Sequence, residues 1–139
     1  MSIHGEHELI IGKIDHVAIN CINIHKSLDF YGRILGFKQL QTVECDGFDI
    51  IYFALPKGGR LELFDYHGKS RNPVRKESDS GLRHLAFQVE DVLAHERLLI
   101  AEGVTITLTT RDLPNLKSRV LLFLDPDGTV IEFCEINTK

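Results

Sequence analysis

The chain has 139 residues and 15.8 kDa, 43% of them hydrophobic and 26% charged, which is apolar content for one core and too little length for two, so residues 1–139 read as a single domain. A net charge of -4 with a pI near 5.9 gives no basic field to gather nucleic acid or anionic lipid, and no run approaches the roughly 20 apolar residues of a membrane span or has the make-up of a secretory leader. Three cysteines, Cys21, Cys45 and Cys134, form an odd set without close pairing, which argues against a disulfide framework or a Cys-based zinc site and for a reducing, cytoplasmic setting.

In chain order, residues 13–21 are rich in β-branched and apolar types and predict a strand, followed by Asn23 as the cap of a helix from Ile24. Ile24, Leu28, Tyr31 and Leu35 recur at helical spacing, and Gly36 stands where the helix should stop. Three strands are predicted next, at 37–44, 48–55 and 60–65, separated by a Cys-Asp-Gly turn and a Pro-Lys-Gly-Gly turn. The polar stretch 67–81 reads as a connecting arm. The order then repeats: a strand in LRHLAFQV, a turn at Glu90-Asp91, a helix over 92–102, a stop at Gly103, and strands at 105–109, 119–124 and 129–135. The last two strands flank Asp-Pro-Asp-Gly, a strong turn signal.

The halves also agree in spacing. His84 lies 68 residues after His16, Gly103 lies 67 after Gly36, and Glu132 lies 70 after Glu62. This predicts an α+β fold of two βαβββ modules, about 13–66 and about 82–136, packed together and not an open repeat array.

Side chains alternate across a strand, so His16 shares a face with Ile14, Ala18 and Asn20 and opposes Val17 and Ile19. Glu62 between Leu61 and Leu63, His84 between Arg83 and Leu85, and Glu132 between Ile131 and Phe133 follow the same rule. If the aliphatic faces pack under the helices, the other faces of two curved sheets present two imidazoles and two carboxylates to a cavity. Such a donor set suits nickel, cobalt, zinc, manganese or iron(II), and a cation relieves the repulsion between buried carboxylates. Taken singly, a strand His is more often structural and a strand Glu more often solvated. A first-strand His and last-strand Glu in one module, repeated in the next, is a pairing that surface residues have no reason to produce.

The motifs IDHVAIN, SLDFYGRILGF, GGRLELF, GLRHLAFQV and LDPDGTVIEF, spread over residues 14–133, resemble the vicinal oxygen chelate superfamily of glyoxalases, bleomycin resistance proteins, epimerases and extradiol dioxygenases. Within it, the quartet His16, Glu62, His84 and Glu132 is most similar to bacterial glyoxalase I. The resemblance implies curved mixed sheets around a divalent metal held by these four residues, with nickel, cobalt or zinc favoured over manganese or iron(II), and a cytoplasmic homodimer acting on a small molecule. It implies a lyase or isomerase in which Glu132, with Glu62, moves a proton on a metal-chelated α-hydroxycarbonyl or hemithioacetal. An iron(II) dioxygenase, a CoA-thioester epimerase and a non-catalytic binding protein are the alternatives on the same fold. Where glyoxalase I carries an Arg and an Asn for glutathione, this chain has Asn20 and Tyr66.

The arm's Lys69, Arg71, Arg75 and Lys76 are expected in solvent, with a role in holding an anionic substrate tail as the lesser reading. His67 and His95 have no repeat partner and read as structural or solvent-facing, and His4 and His7 fall in a terminus expected to fray. Cys21 and Cys134 read as small packing residues, Cys134 on the inner face by its alternation with Glu132.

Overall fold

The computed structural model describes residues 8–73 and 75–136, so His4 and His7 lie outside it. Two four-stranded mixed sheets form the frame. The first contains β1 (His16–Cys21), β2 (Lys38–Glu44), β3 (Asp49–Ala54) and β4 (Arg60–Asp65) in the order β1-β4-β3-β2. The second contains β5 (Leu85–Gln88), β6 (Ile106–Leu113), β7 (Ser118–Leu124) and β8 (Val130–Ile136) in the order β5-β8-β7-β6. In each, the first strand runs parallel to the last and the others pair antiparallel. Between a first strand and its sheet lies a helix, α1 (Ile24–Leu28) or α2 (Val92–Ala101), because a parallel return needs a crossover. The expected βαβββ duplication is therefore present, as an α+β fold with open sheets.

Both helices start where the sequence places a cap. Asn23 accepts from the His25 and Lys26 amides at 3.1 and 3.3 Å, and Asp91 accepts from Ala94 at 3.1 Å. Unlike the regular helix expected, α1 widens into a π-helical stretch, Asp29–Ile34, with the Leu35 amide donating to the Phe30 carbonyl. The wider turn lets two successive aromatic side chains, Phe30 and Tyr31, both be buried.

Three strand limits differ from expectation. β1 begins at His16, where its register with Arg60 on β4 begins, and β5 begins at Leu85 opposite Ile131, since the residues before them have no strand to pair with. β6 continues to Leu113, past the polar Thr110, Arg111 and Asp112, because it is an edge strand whose outward side chains meet water and whose Asp112 accepts from Arg119 Nε at 2.9 Å. A 3₁₀ turn, Pro114–Leu116, and the left-handed Lys117 then reverse the chain.

The core joins both modules. The odd-numbered faces of β3, β4, β7 and β8, carrying Phe53, Leu61, Leu63, Leu121, Phe123 and Ile131, share one apolar cluster with Phe30 and Tyr31. Each such side chain removed from water contributes about 1.5–3 kcal/mol. Phe30 meets Phe123 at 6.2 Å and Phe37 meets Phe87 at 5.3 Å, ring centre to ring centre. The Tyr31 hydroxyl donates to Asp125 at 2.7 Å, and the Ile22 amide donates to Asp127 at 3.2 Å. Both acids of the Asp-Pro-Asp-Gly turn thus reach the first module, while Asp125 also accepts from the Asp127 and Thr129 amides at 2.8 Å. No helix among the described residues is long and apolar enough to cross a membrane.

Candidate metal centre

Because the odd-numbered faces meet in the core, the even-numbered faces carrying Glu62 and Glu132 turn outward, away from each other. In the first module His16 Nδ1 lies 3.4 Å from Glu62 Oε2. In the second, His84 Nε2 lies 3.0 Å from Glu132 Oε1. The structure brings the four sequence-derived residues together as these two pairs. It does not gather them within one chain: among the described residues no His, Cys, Asp or Glu cluster contains members of both pairs.

The two pairs have different surroundings. Glu62 is buried, its side chain 6% exposed, and beside it stand two residues that motif reading missed. Asp15 accepts from His16 Nδ1 at 2.8 Å, and Arg60 Nη2 donates to both Asp15 and Glu62 at 3.2 Å. The Arg60 guanidinium also lies over the Tyr52 ring, 4.8 Å from its centre, while its buried Nε has no hydrogen-bond partner. The hydrogen bond from His16, then the Arg60 charge, hold the Asp15 carboxyl below its ordinary value.

Local sequence explains this assembly. The Gly58-Gly59 turn before β4 takes positive φ at both residues, a conformation disfavoured for residues that carry a side chain. The Arg60 amide then donates to the Asp15 carbonyl at 3.1 Å, which fixes the register setting Arg60 beside His16. A signal for Arg60 was present, since a residue two before Glu62 on a strand shares its face. For Asp15 the only signal was its adjacency to His16.

The second pair is simpler. Glu132 is flanked in register by Ala86 and Leu122, and Cys134, next along the same face, by Gln88 and Val120. The Cys134 thiol is pushed up by burial and then by the charge of Glu132, which places the two side by side. Cys21 packs in the core, where burial pushes its thiol up to about 12.

Other expected positions resolve individually. Asn20 is exposed at the end of the face of β1 that carries His16, and Tyr66 stacks on Phe48 at 5.1 Å, with Phe64 on the other contact of Phe48 at 5.6 Å. His95 is half-buried, edge-on to Phe133 at 5.4 Å, with Nδ1 2.6 Å from the Asp91 carbonyl. In the arm, Lys69, Arg71 and Lys76 are exposed, and Arg75 donates to the Ser80 carbonyl at 3.0 Å. His67 is exposed yet sits beside two carboxylates.

Each half supplies one imidazole and one carboxylate. Two halves together make the mixed nitrogen and oxygen donor set that divalent first-row ions accept. Asp15, His16 and Glu62 each offer a donor atom, all within 4.8 Å of one another, so the first half adds a second carboxylate beside its imidazole. The donor chemistry therefore fits such an ion.

Residues 13–133 match the family described as Glyoxalase/Bleomycin resistance protein/Dioxygenase superfamily. The chain is 34% identical over 125 residues, 88% of its length and 95% of the relative's, to the uncharacterized protein YaeR of Escherichia coli. It is 27% identical over 133 residues, 90% of its length and 79% of the relative's, to a mitochondrial methylmalonyl-CoA epimerase of Dictyostelium discoideum. Its fold superposes on the crystal structure of a glyoxalase family protein from Enterococcus faecalis with a TM-score of 0.78 at 29% identity, covering 88% of this chain and 97% of that one.

Proposed function

Because the chain belongs to the glyoxalase/bleomycin resistance protein/dioxygenase superfamily, we propose that it is a divalent-metal-dependent lyase or isomerase of the glyoxalase I kind, moving a proton on a small α-hydroxycarbonyl or hemithioacetal. The observation that carries this reading is the repeated His-Glu pair, His16 with Glu62 and His84 with Glu132, on the outward face of each sheet. The four residues would hold nickel, cobalt or zinc, with manganese and iron(II) compatible with the same donors. Such an ion polarises a carbonyl and stabilises the negative charge left when the neighbouring carbon loses its proton.

The chain's own groups divide the remaining work. Glu132 takes the proton and returns it to the adjacent carbon, its ion pair among the described residues being with His84, whereas Glu62 is also engaged by Arg60. Glu62 is the second carboxylate of the exchange. Asp15, 2.8 Å from His16 Nδ1, holds the ring in place beside Glu62.

A homodimer completes the centre in this reading, one copy giving His16 and Glu62 and the other His84 and Glu132. Three observations support it. The pairs do not meet within a chain, β1 and β5 are free sheet edges, and Ile14 and Leu82, each two residues before a ligand histidine, are 79% and 87% exposed. Epimerisation of a CoA thioester is the second reading, favoured by the similarity to the Dictyostelium epimerase and sharing the proton transfer.

The test is elemental analysis of protein purified without chelators, wild type beside Glu132→Ala, with gel filtration. Near-stoichiometric nickel, cobalt or zinc in a dimer, lost in the variant, followed by turnover of hemithioacetals without oxygen uptake, is the expected result. Stoichiometric iron with oxygen consumption puts a dioxygenase in its place, and a metal-free protein that binds ligand tightly makes it a binding module.

A further inference from the structure

On the opposite, helix-covered face of the first sheet, Asp49 and Asp65 are direct cross-strand partners. Their side chains therefore lie together, on the other side of β4 from Glu62. His67 follows two residues later in a left-handed conformation, φ 58°, which carries its imidazole back over them. Its Nε2 is 3.9 Å from Asp49 Oδ2 and its Nδ1 is 3.6 Å from Asp65 Oδ2. One donor atom from each of the three residues fits within 4.8 Å of the others. Three donors at about 2.1 Å from a tetrahedral ion stand about 3.4 Å apart, so closure of up to about 1.4 Å from that 4.8 Å limit brings them onto one ion.

The charge balance points to a ligand. Asp65 is only 8% exposed; one of its oxygens accepts the His67 amide at 2.8 Å and the other, Oδ2, lies 3.6 Å from His67 Nδ1. Among the described residues neither Asp49 nor Asp65 forms an ion pair with Lys or Arg. A buried carboxylate without a cation is costly, and among the described residues one imidazole stands between the two carboxylates as their ion-pair partner.

The duplication sets Asp65 apart. Its counterpart by repeat spacing, Glu135, accepts the amide of Val92, the first residue of α2, at 3.3 Å. Asp65 instead accepts the His67 amide and lines a cavity of about 400 Å³ together with His67, Asn23 and His25.

We infer that Asp49, Asp65 and His67 form a second divalent-metal site, of the zinc class, on the face of the first sheet opposite the Glu62 centre. One imidazole with two carboxylates favours a borderline ion over calcium or magnesium, and the cavity leaves room for water to complete the shell. A metal there clamps the start of the 67–81 arm to β3 and β4. The site is independent of the proposed catalysis and of dimerisation.

The experiment is a zinc titration of the full chain against a chromogenic chelator, on a His16→Ala/His84→Ala background that removes an imidazole from each outward pair. One zinc per chain should remain. Adding Asp49→Asn, or His67→Asn, which keeps a residue at ease in the left-handed conformation, should weaken it by about 100-fold, with the melting temperature of the metal-free protein retained. In the unaltered protein, imidazole 15N resonances provide a readout free of variants: the His67 nitrogens should move on adding zinc to a second equivalent. A background protein that binds no zinc, binding unmoved by Asp49→Asn and His67→Asn, or His67 resonances that stay in place would each overturn the proposal.

Discussion

The two half-sites descend from one layout and have been furnished differently. The first has a charged network, Asp15, Arg60 and Glu62 around His16, with Tyr52 beneath the guanidinium. The second sets His84 and Glu132 among Ala86, Leu122 and Cys134. The duplicated strand register preserves the donors, while the residues around them differ between the halves both at strand ends, as with Asp15 and Arg60, and within strands, as with Ala86 and Leu122. The residue before His84 illustrates this: Arg83 turns to Glu77 in the arm, whereas Asp15 turns to its own histidine.

The sharpest way to break the comparison is to remove a donor from either half. Glu62→Ala and Glu132→Ala should each abolish stoichiometric metal by elemental analysis, the loss exceeding the 10–100-fold ordinarily seen for an outer partner. Retention of metal in one of them would show that the halves do not share a centre. Next in size, Asp15→Asn should lower metal affinity about 10–100-fold in a competition assay, while Arg83→Gln on the other half leaves it unchanged. Equal effects from the two would remove the asymmetry argued here.

Across the boundary between modules, Tyr31→Phe leaves a buried oxygen of Asp125 without its donor and should cost about 2 kcal/mol in denaturant unfolding. The same variant has a pH signature. Burial first, and then the facing Asp125, raise the Tyr31 hydroxyl far above its ordinary value of 10.0, so its contribution is full below pH 10 and falls as pH rises beyond it. Tyr31→Phe should flatten that alkaline limb of the stability curve, leaving the earlier fall from Cys21, whose ordinary value is 9.0. Smallest are the caps: Asn23→Ala and Asp91→Ala should each cost about 1 kcal/mol of stability, and a markedly larger loss at Asn23 would tie α1 more closely to global unfolding than α2.

Much of this was legible in the sequence because it is periodic. Alternation places Glu62 and Glu132 opposite the aliphatic sets Leu61/Leu63 and Ile131/Phe133, and Asn23 and Asp91 announce their helices. The π-helical turn at Asp29–Ile34 left no such trace, since it answers to the need to bury Phe30 beside Tyr31 against the other module. Nor did local pattern show which faces of the two sheets meet. That depends on tertiary contacts such as Phe30 with Phe123, and it decides whether the four ligands converge within a chain or between chains. Asp15 and Arg60 escaped for a similar reason, because their meeting depends on the parallel register of β1 against β4.

The hydroxyl of Tyr31 and the carboxylate of Asp125 are 94 residues apart in the chain. During synthesis at roughly 5–20 residues per second, the first half therefore waits about 5–20 s before the group that receives its most buried tyrosine has even been made. Through that interval Phe30 and Tyr31 have no Phe123 to cover them, so the nascent first half presents an aromatic surface to whatever chaperones attend the ribosome. The turn that closes the last hairpin thus precedes in synthesis the strand β8, which the second sheet needs between β5 and β7 before that surface can be covered.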